Sequence, residues 1–549
     1  MTGADWIFHG GPVLTMDSEA PTTDAVAVAD GRIVAVGASK VAEVKASHTE
    51  IVDLRGSALL PGFQDAHIHP VAGGLQQLQC DLSEWHSLDD YRQVIRRYAA
   101  HAAGEWIQGA GWYGDVFEGG FPDRLELDAL VGDRPAVFVS HDAHGAWVNS
   151  AALRRAGITS TTPDPAGGRI FRDHAGQPTG MLAESAAELV TRLIPPPEGN
   201  DLEKALLSAQ SYLHSLGITA WQDAAVGEAL GIPETFPLYC DLDDRAQLTA
   251  RVTAALWWDR DAGLEQIPEL AARRKAAGHR RFQATAIKIM QDGVCENLTA
   301  AVLHAYRGQP GNHGMSFIEP AALTEIVGRL DRERFDIHLH AVGDRAVREC
   351  LDAIEASASR EWDSRHQIAH IDLIDRSDVL RMRQLNVIAN IQPLWARQDP
   401  VLVETKLPYL DDAQRSQHFA FRALADAGVA LAMGSDWPVS SPDPIWGIHV
   451  AVNRTAPVAD PHAADERSQT EPLLPGEAIS VQSALHAYTL GAARANRLDH
   501  LTGSIEIGKA ADLVVLDRDP LHTPARELSA IRPRLTMVGG QVVHESAGE

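Results

Sequence analysis

Short apolar runs alternate with longer segments of helical periodicity through the middle of the chain. The apolar runs are rich in β-branched residues and end near polar residues, glycine or proline, as β-strands do. Helical patterns between them cover Ala321–Arg332, Asp344–Ala356 and Ser416–Ala427. Alternating strands and helices predict parallel β/α units, and eight such strands predict a TIM-like (β/α)8 barrel rather than an open sheet. The predicted strands are Ala58–His69, Gly217–Asp223, Leu248–Leu256, Phe282–Met290, Phe335–His340, His366–Ile371, Asn386–Gln392 and Gly428–Asp436.

The two ends of the chain carry a different pattern, in which short β-rich runs are separated by turns. Asp30-Gly31 lies between two apolar runs, which is a strong signal for a β-hairpin. Gly539-Gly540 joins two β-rich runs near the other end in the same way. We therefore predict a small β-sandwich domain made of residues 1–57 plus 501–549, packed beside a barrel domain of residues 58–500.

One stretch of the barrel domain, residues 74–214, has few clean β/α units and many glycine, proline and tryptophan residues. We interpret it as an insertion after the first barrel strand that caps the active site. Within it, Gly109–Gly114 fits the dinucleotide pattern G-x-G-x-x-G, but Asp115–Pro122 cannot open the helix that would hold a pyrophosphate. Gly503–Ala510 almost fits a P-loop but ends in alanine where a hydroxyl must hold magnesium. Neither motif predicts a nucleotide site.

The composition of the chain argues against several classes of partner and of protein. The 549 residues include 48 basic and 74 acidic side chains, and the resulting net charge of -26 would repel nucleic acid and anionic membranes. Four cysteines without a C-x-x-C motif exclude a disulfide scaffold and a cysteine-built zinc ribbon. No apolar run is long enough to span a bilayer and no secretion signal is recognisable, so we expect a cytoplasmic protein. The unusual feature is the presence of 24 histidines.

The sharpest signal is the segment Pro61–Pro70, which contains D-x-H-x-H. Side chains at i and i+2 of a strand share a face, so His67 and His69 point the same way at the end of the first barrel strand. Two neutral imidazoles placed in this way suit a divalent metal such as zinc. Taken alone, the motif is equally compatible with two histidines on a wet surface.

Other predicted strand ends favour the metal. His340, His370 and Asp436 each close an apolar run, whereas His338 lies one layer deeper and packs or hydrogen-bonds. Active sites of parallel barrels assemble from the carboxyl ends of the strands. Four separate strand ends that carry histidine or aspartate are hard to explain by packing alone. The pattern therefore predicts a metal site at the mouth of the barrel.

Lys288 ends an otherwise apolar strand, where a lone lysine is costly unless it is paired. One explanation is a salt bridge to an inward carboxylate. The other is a lysine with a lowered pKa that reacts with carbon dioxide and gives a carbamate able to bridge two metals. The residues alone do not decide between the two.

The order of motifs along the chain resembles that of the amidohydrolase superfamily. D-x-H-x-H is followed by I-K-x-x-x-D-G, H-x-H-A-x-G-D, a lone histidine and G-S-D-W-P. The resemblance is greatest to the amidohydrolase 3, or YtcJ-like, branch, which includes N-substituted formamide deformylases. It covers nearly the whole chain, because the insertion motif His144–Leu153 and the tail Gly503–Leu513 are also similar to that branch.

The resemblance implies a set of ligands and a cofactor. His67 and His69 would hold a first divalent metal with Asp436 beside it, and a carbamylated Lys288 would bridge to a second metal on His340 and His370. Every ligand position is filled, which argues against an inactive relative. The implied cofactor is Zn²⁺, as one or two ions, and the resemblance also implies a homodimer.

Substrate contacts are predicted less directly. By resemblance, His144 would reach over the site from the insertion and touch substrate, although it is equally compatible with a core position beside His141 and Trp147. The tryptophans near the insertion fit an apolar substrate pocket or simple core packing equally well. The further residues to which we assign substrate contact are Trp112, Asp292, His338 and Trp395.

The function predicted from these residues is hydrolysis of an amide-type C–N bond, such as that of an amide, formamide or cyclic amide, in a small molecule. A metal lowers the pKa of bound water, and Asp436 would take the proton and pass it to the leaving nitrogen. The metal, or a donor such as His144, would polarise the carbonyl and stabilise the oxyanion. Because a fold does not fix a reaction, an ester or lactone hydrolase, a lyase, an isomerase and a non-catalytic binding protein remain alternatives. No residue identifies the substrate.

Overall fold

The computed structural model describes residues 3–117, 120–141, 145–165, 168–197, 199–229, 231–278, 280–357, 362–463 and 465–546. The chain divides into two compact units. The barrel unit comprises Met1–His69, Leu207–Ala459 and Asp465–Glu549, and the insertion unit comprises Pro70–Leu206 with Asp460–Ala464. No helix within the described ranges has the length and apolar character needed to cross a membrane.

The segment that precedes the barrel is β-rich, as predicted. The hairpin at Asp30-Gly31 is present, and both residues have positive φ, 49° and 74°, as a tight two-residue hairpin turn requires. The elements of this segment are β1 (Trp6–Leu14), β2 (Thr22–Ala29), β3 (Arg32–Val36), α1 (Ala38–Val44), β4 (Glu50–Asp53), β5 (Ala58–Pro61) and β6 (Phe63–Ile68).

The predicted strand Ala58–His69 is wrong as a single element, because β5 and β6 belong to different sheets. β5 pairs with a strand near the C-terminal end, whereas β6 begins the barrel. Gly62 lies between them, and a Cβ atom there would approach the Thr219 side chain to 2.2 Å, so only glycine fits. Both strands are fully buried, and their joint sequence therefore appears as one apolar run.

Between β6 and the next barrel strand the chain forms most of the insertion unit. Its elements are α2 (Pro70–Leu78), β7 (Cys80–Asp81), α3 (Leu88–His101), β8 (Ile107–Trp112), α4 (Arg124–Val131), β9 (Ala136–Ser140), β10 (Gly145–Val148), α5 (Ser150–Arg155), β11 (Gly168–Arg172), β12 (Pro178–Glu184) and α6 (Ser185–Thr191). The insertion thus follows the first barrel strand, as predicted.

The insertion unit contains a six-stranded sheet in the order β11-β12-β10-β9-β8-β7, which the sequence pattern did not predict. Trp112, Phe138 and Trp147 lie in the core on one side of this sheet. β8 is followed by a single short turn of 3₁₀-helix at Gly114–Val116, so no long helix begins at the G-x-G-x-x-G motif.

The barrel continues after the insertion. Its elements are α7 (Gly199–Ser215), β13 (Ile218–Val226), α8 (Phe236–Asp244), β14 (Arg251–Trp257), α9 (Ile267–Ala276), β15 (Phe282–Met290), α10 (Pro320–Arg332), β16 (Asp336–Ala341), α11 (Asp344–Ser357), β17 (Gln367–His370), α12 (Arg376–Gln384), β18 (Ile388–Ile391), α13 (Asp412–Ser416), α14 (Phe421–Asp426) and β19 (Leu431–Met433).

These strands form an eight-stranded parallel sheet in the order β19-β18-β17-β16-β15-β14-β13-β6, which confirms the predicted barrel. β15 has the bounds that the sequence predicted. The predicted helix Ser416–Ala427 is wrong as one element, because α13 ends at Ser416 and α14 begins only at Phe421. The strands are nearly continuous apolar runs because helices and neighbouring strands bury both faces.

The C-terminal part returns to the sheet of the N-terminal strands. That sheet has the order β22-β21-β20-β5-β1-β2-β3, with β4 beside β1, and it is built from both ends of the chain as predicted. Phe8, Val26, Leu513 and Met537 share its core. The elements of this part are α15 (Pro444–Asn453), α16 (Glu466–Thr470), α17 (Val481–His486), α18 (Ala492–Ala495), β20 (Leu513–Leu516), β21 (Pro533–Val538) and β22 (Gln541–Glu545).

Candidate metal centre

The first and last barrel strands bring three candidate ligands together. His67 and His69 lie at the carboxyl end of β6, and Asp436 lies three residues beyond β19. The two segments are joined through their backbones, because the Asp436 N–H donates to the His67 carbonyl at 2.7 Å and the His69 N–H donates to the Trp437 carbonyl at 2.9 Å. This pairing closes the barrel and places the side chains on a common edge.

The side chains of these residues converge. Asp436 Oδ1 lies 3.4 Å from His67 Nε2 and 3.1 Å from His69 Nε2. Each of the three residues offers one ligand atom, and these atoms all lie within 4.8 Å of one another. Two imidazole nitrogens and a carboxylate oxygen in this arrangement match the donor set of a divalent metal site.

Asp65 connects the same two strand ends from below. Its carboxylate accepts a hydrogen bond from the His67 N–H at 2.9 Å and from the Ser435 N–H at 3.1 Å. Burial raises the pKa of this carboxyl to about 7. The motif D-x-H-x-H contained Asp65, but the sequence did not predict that this residue links the two backbone segments that carry the candidate ligands.

Two site residues have left-handed backbone conformations. His370 has φ 78° and Asp436 has φ 58°, values that are uncommon for residues other than glycine. Such conformations cost about 1–3 kcal/mol each and cluster at functional sites. Their position at two strand ends that face the same centre therefore supports a functional role for this edge.

Lys288 is buried beside His67, with its Nζ atom 3.2 Å from His67 Nε2. Burial lowers the pKa of Lys288 to about 7, although the nearby Asp436 carboxylate opposes the shift. Within the described ranges, no carboxylate lies within salt-bridge distance of Lys288. Of the two explanations that the sequence left open, the structure therefore favours a lysine with a lowered pKa over a lysine paired in a salt bridge.

The two remaining histidines extend the centre along neighbouring strand ends. The His370 ring lies 4.8 Å from the His67 ring and 4.4 Å from the His340 ring, measured between centroids. His370 Nδ1 is 4.0 Å from Asp436 Oδ2, and His340 Nε2 is 3.6 Å from Asp292 Oδ1. The structure thus places His340 and His370 on strand ends next to the centre, whereas the group of ligand atoms that lie within 4.8 Å of one another consists, among the described residues, of His67, His69 and Asp436.

Two histidines of the cluster are in the neutral form that can bind a cation. Burial holds the pKa values of His67 and His370 well below the usual range, so both rings are neutral. His69 Nδ1 and His370 Nδ1 are buried and have no hydrogen-bond partner among the described residues. Neutral imidazoles with unused nitrogens beside a carboxylate are the groups that a divalent metal requires.

The residues predicted to touch substrate occupy different environments. Trp395 stacks on the His370 ring at 5.4 Å, and its indole N–H donates to Ser440 at 3.1 Å. Trp112 lies in the core of the insertion unit and donates to the Phe138 carbonyl. His144 lies outside the described residues.

Asp292 and His338 are fully buried. The Asp292 carboxylate accepts hydrogen bonds from the backbone N–H groups of Ala301, Val342 and Gly343 at 2.9–3.0 Å. Burial raises its pKa to about 8. His338 lies between His67 and Gln222 and contacts both. The substrate contacts assigned to these residues stay predictions.

Sequence reasoning missed a group of buried polar residues beneath the centre. Gln222, Gln367 and Asn390 lie on three barrel strands and are linked by hydrogen bonds to His338. Asp223 follows Gln222 and accepts a hydrogen bond from the Tyr239 hydroxyl at 2.7 Å. A polar residue inside a run of buried strand residues was the available signal, but amides occur too widely to identify a site by type.

Comparison with known proteins gives consistent results across the chain. Residues 50–544 match a family model described as "Amidohydrolase family". The putative amidohydrolase YtcJ of Bacillus subtilis (strain 168) is 30% identical, with 98% of this chain and 99% of that protein aligned. The N-substituted formamide deformylase of Arthrobacter pascens is 28% identical, with 98% and 97% aligned.

A solved structure is similar to this chain over nearly its whole length. It is an uncharacterized metal-dependent hydrolase from Pyrococcus furiosus, with a TM-score of 0.71 and 25% sequence identity. The match covers 94% of this chain and 99% of that chain. These comparisons confirm the resemblance and the fold class that the motifs predicted.

Proposed function

The chain belongs to the amidohydrolase family, and on that basis we propose that it is a metal-dependent hydrolase that cleaves an amide-type C–N bond of a small molecule. The observation that carries the proposal is the convergence of His67, His69 and Asp436, whose ligand atoms lie within 4.8 Å of one another. The family membership supports hydrolysis, and the donor set supports a divalent cation, for which Zn²⁺ is our choice.

The residues of the centre fit such a cation. His67 and His69 would hold it with Asp436, through nitrogens and an oxygen that already face a common point. A second cation would be held by His340 and His370, with a carbamylated Lys288 between the two. When bound, a divalent cation acts as a Lewis acid that polarises a carbonyl oxygen and makes water more acidic.

Lys288 supplies the chemistry for its own modification. A neutral amine attacks carbon dioxide through the nitrogen lone pair, forms a C–N bond, and releases one proton as it becomes a carbamate. Burial lowers the pKa of Lys288 to about 7, which makes the neutral form available near neutral pH. The resulting anion would neutralise part of the charge of the bound cations.

Asp436 is the proposed general base and acid. Its carboxylate stands at the centre of the cluster, and the Trp437 carbonyl next to it is fixed to His69 by a backbone hydrogen bond. We infer that Asp436 takes a proton from the attacking water and later gives a proton to the leaving nitrogen. One group that serves both steps suits hydrolysis of an amide, because an amine leaves poorly without a proton.

The proposed substrate class follows from a relative and from a side chain beside the cluster. The deformylase of Arthrobacter pascens is named for activity on N-substituted formamides, and it aligns with nearly all of this chain. Trp395, stacked on His370, offers an apolar wall next to the cluster. We therefore propose a small amide or formamide as the substrate.

Metal content and activity of purified protein test the proposal together. We expect bound divalent metal, and turnover within a panel of formamides, N-acyl amino acids, cyclic amides and lactones assayed with added zinc. Asp436→Asn should lose turnover and keep much of the metal. Asp443→Asn is the matched control, because Asp443 caps α15 in the same loop and asparagine caps equally well.

The outcomes separate the possibilities. Turnover retained by Asp436→Asn would contradict the assigned proton transfer. Turnover of lactones without any amide would redirect the proposal to an ester hydrolase. Metal-free protein that gains neither metal nor activity on reconstitution would refute the proposal as a whole.

A further inference from the structure

A chain of buried amide and imidazole side chains runs from the backbone of β6 across the barrel interior to the Nδ1 atom of His67. We propose that this chain fixes the tautomer of His67, with the proton on Nδ1 and the lone pair on Nε2, and that His338 is its positioning residue. The proposal rests on the proposed function, because a fixed lone pair matters only if Nε2 binds a cation.

The contacts are continuous. Asn390 Nδ2 donates to the Ala66 carbonyl at 2.8 Å and to Gln367 Oε1 at 2.8 Å. Gln367 Nε2 donates to Gln222 Oε1 at 2.9 Å. Gln222 Oε1 also contacts His338 Nδ1, and His338 Nε2 lies 2.9 Å from His67 Nδ1.

The direction of every bond follows from the first one. A backbone carbonyl can only accept, so the atom of Asn390 that faces Ala66 must be the amide nitrogen. The other hydrogen of that nitrogen points to Gln367, whose near atom must then be the oxygen. The Gln367 nitrogen therefore faces Gln222, and the atom of Gln222 at the junction is an oxygen.

A second backbone group gives the same orientation independently. The Gln222 nitrogen donates to the Ala495 carbonyl at 3.4 Å, which again leaves the Gln222 oxygen facing His338. Two carbonyls on different segments thus fix one amide. All these side chains are at most 1% exposed, so bulk solvent does not compete for the bonds.

The directions of the remaining hydrogen bonds, from Gln222 to His67, follow from which atoms can donate and which can accept. An oxygen at Gln222 Oε1 requires His338 Nδ1 to carry a proton, and a neutral imidazole then has a lone pair on Nε2. That lone pair accepts the proton of His67 Nδ1. His67 is left with its own lone pair on Nε2, the atom that faces Asp436 and Lys288.

The proton on His67 Nδ1 competes with the alternative tautomer, in which the proton lies on Nε2. Asp436 Oδ1 lies 3.4 Å from His67 Nε2, and a carboxylate at that distance favours a proton on the imidazole nitrogen that faces it. A proton on Nε2 would block the atom from a cation, since a metal ligand must present a lone pair. The chain holds the proton on the opposite nitrogen and so prepares His67 before any cation arrives.

Gln222→Leu tests the proposal, because leucine fills a similar volume and removes the acceptor that orients His338. The matched control is Gln64→Leu, which removes another buried amide of the barrel. Among the described residues, the Gln64 oxygen accepts only from the Asn496 side chain, at 3.2 Å. Both proteins are checked for folding by circular dichroism. Zinc affinity of each metal-free protein is then measured by competition with a chromophoric chelator.

We expect Gln222→Leu to bind zinc about 10–100-fold more weakly than the parent, which is the usual effect of removing a partner behind a metal ligand. Gln64→Leu should stay within about threefold of the parent. Equal affinity of Gln222→Leu and the parent would overturn the proposal while leaving the metal site itself intact.

The tautomer is read directly in metal-free protein that is ¹⁵N-labelled at histidine, with the His67 signals identified by their loss in His67→Asn. Long-range ¹H–¹⁵N correlations distinguish a protonated Nδ1 from a protonated Nε2. We expect protonated Nδ1 in the parent and in Gln64→Leu, and a mixed or protonated Nε2 state in Gln222→Leu. Protonated Nε2 in the parent would overturn the proposal, whether or not the protein binds zinc.

Discussion

Two of the lysines that the structure describes in the barrel unit are buried, and their surroundings predict opposite reactivity toward carbon dioxide. Burial lowers the pKa of Lys288 to about 7. Lys406 is also buried, but it contacts Asp372 and lies 3.3 Å from Glu296, and these carboxylates outweigh burial and raise its pKa. We predict that Lys288 becomes a carbamate and that Lys406 remains an ammonium.

The size of the difference follows from the pKa values. At pH 7, a lysine with the ordinary pKa is neutral in about 0.04% of molecules, whereas a lysine with a pKa near 7 is neutral in about half of them. The neutral, reactive fraction of Lys288 is thus roughly a thousandfold larger than that of an ordinary lysine. Because the folded-state pKa is lowered, the neutral fraction decreases as the pH falls through about 7.

The assay is ¹³C NMR of the zinc-loaded protein in buffer that contains ¹³C-bicarbonate. We expect one carbamate carbon signal that weakens as the pH is lowered from 8 to 6. Lys288→Arg should lose the signal, because a guanidinium stays protonated and does not react. Lys406→Arg is the matched control and should keep it.

Two results would refute this reasoning. A parent protein without a carbamate signal would show that the lowered pKa does not lead to modification. A signal that survives in Lys288→Arg would place the modification on a different amine.

Other predictions concern the framework that supports the site. Asp512→Ala leaves Arg251, whose side chain is 12% exposed, without its buried partner at 2.6 Å and should lower the free energy of unfolding in urea by about 3–5 kcal/mol. A loss below about 1 kcal/mol would contradict a structural role for the pair. Gly62→Ala places a Cβ atom 2.2 Å from the Thr219 side chain and should lower the free energy of unfolding by about 1–3 kcal/mol. Adding Thr219→Ala should restore part of this stability, and no recovery in the double variant would argue against that contact. Trp147→Ala should cost about 3–5 kcal/mol and speed hydrogen exchange in peptides of the insertion sheet, and unchanged exchange there would contradict its position in that core.

Much of the barrel could be predicted because its strands are short, apolar and regularly separated by helices. Phe282–Met290 was predicted with its observed bounds for this reason. Ala58–His69 was not, because a continuous apolar run does not show that the chain passes from one sheet to another at Gly62. The insertion sheet was missed because its strands lack the regular alternation with helices that revealed the barrel.

The candidate site was predictable to the extent that strand geometry fixes direction. His67 and His69 were expected on one face from their spacing, and the structure brings Asp436 within 3.1–3.4 Å of both. The orienting amides, such as Gln222 and Asn390, carry no comparable signal, because their role depends on contacts between strands distant in the sequence. Residue type alone does not reveal such contacts.

The backbone bonds between His67 and Asp436, and between His69 and Trp437, have a consequence for how the enzyme matures. These segments are more than 360 residues apart in the chain, yet each supplies part of the same set of proposed ligands. A nascent chain that lacks the last β/α unit has the two histidines but not the carboxylate. The full set of proposed site residues therefore assembles only after the last β/α unit has been synthesised and has paired with β6, and the two backbone hydrogen bonds distinguish finished molecules from truncated ones.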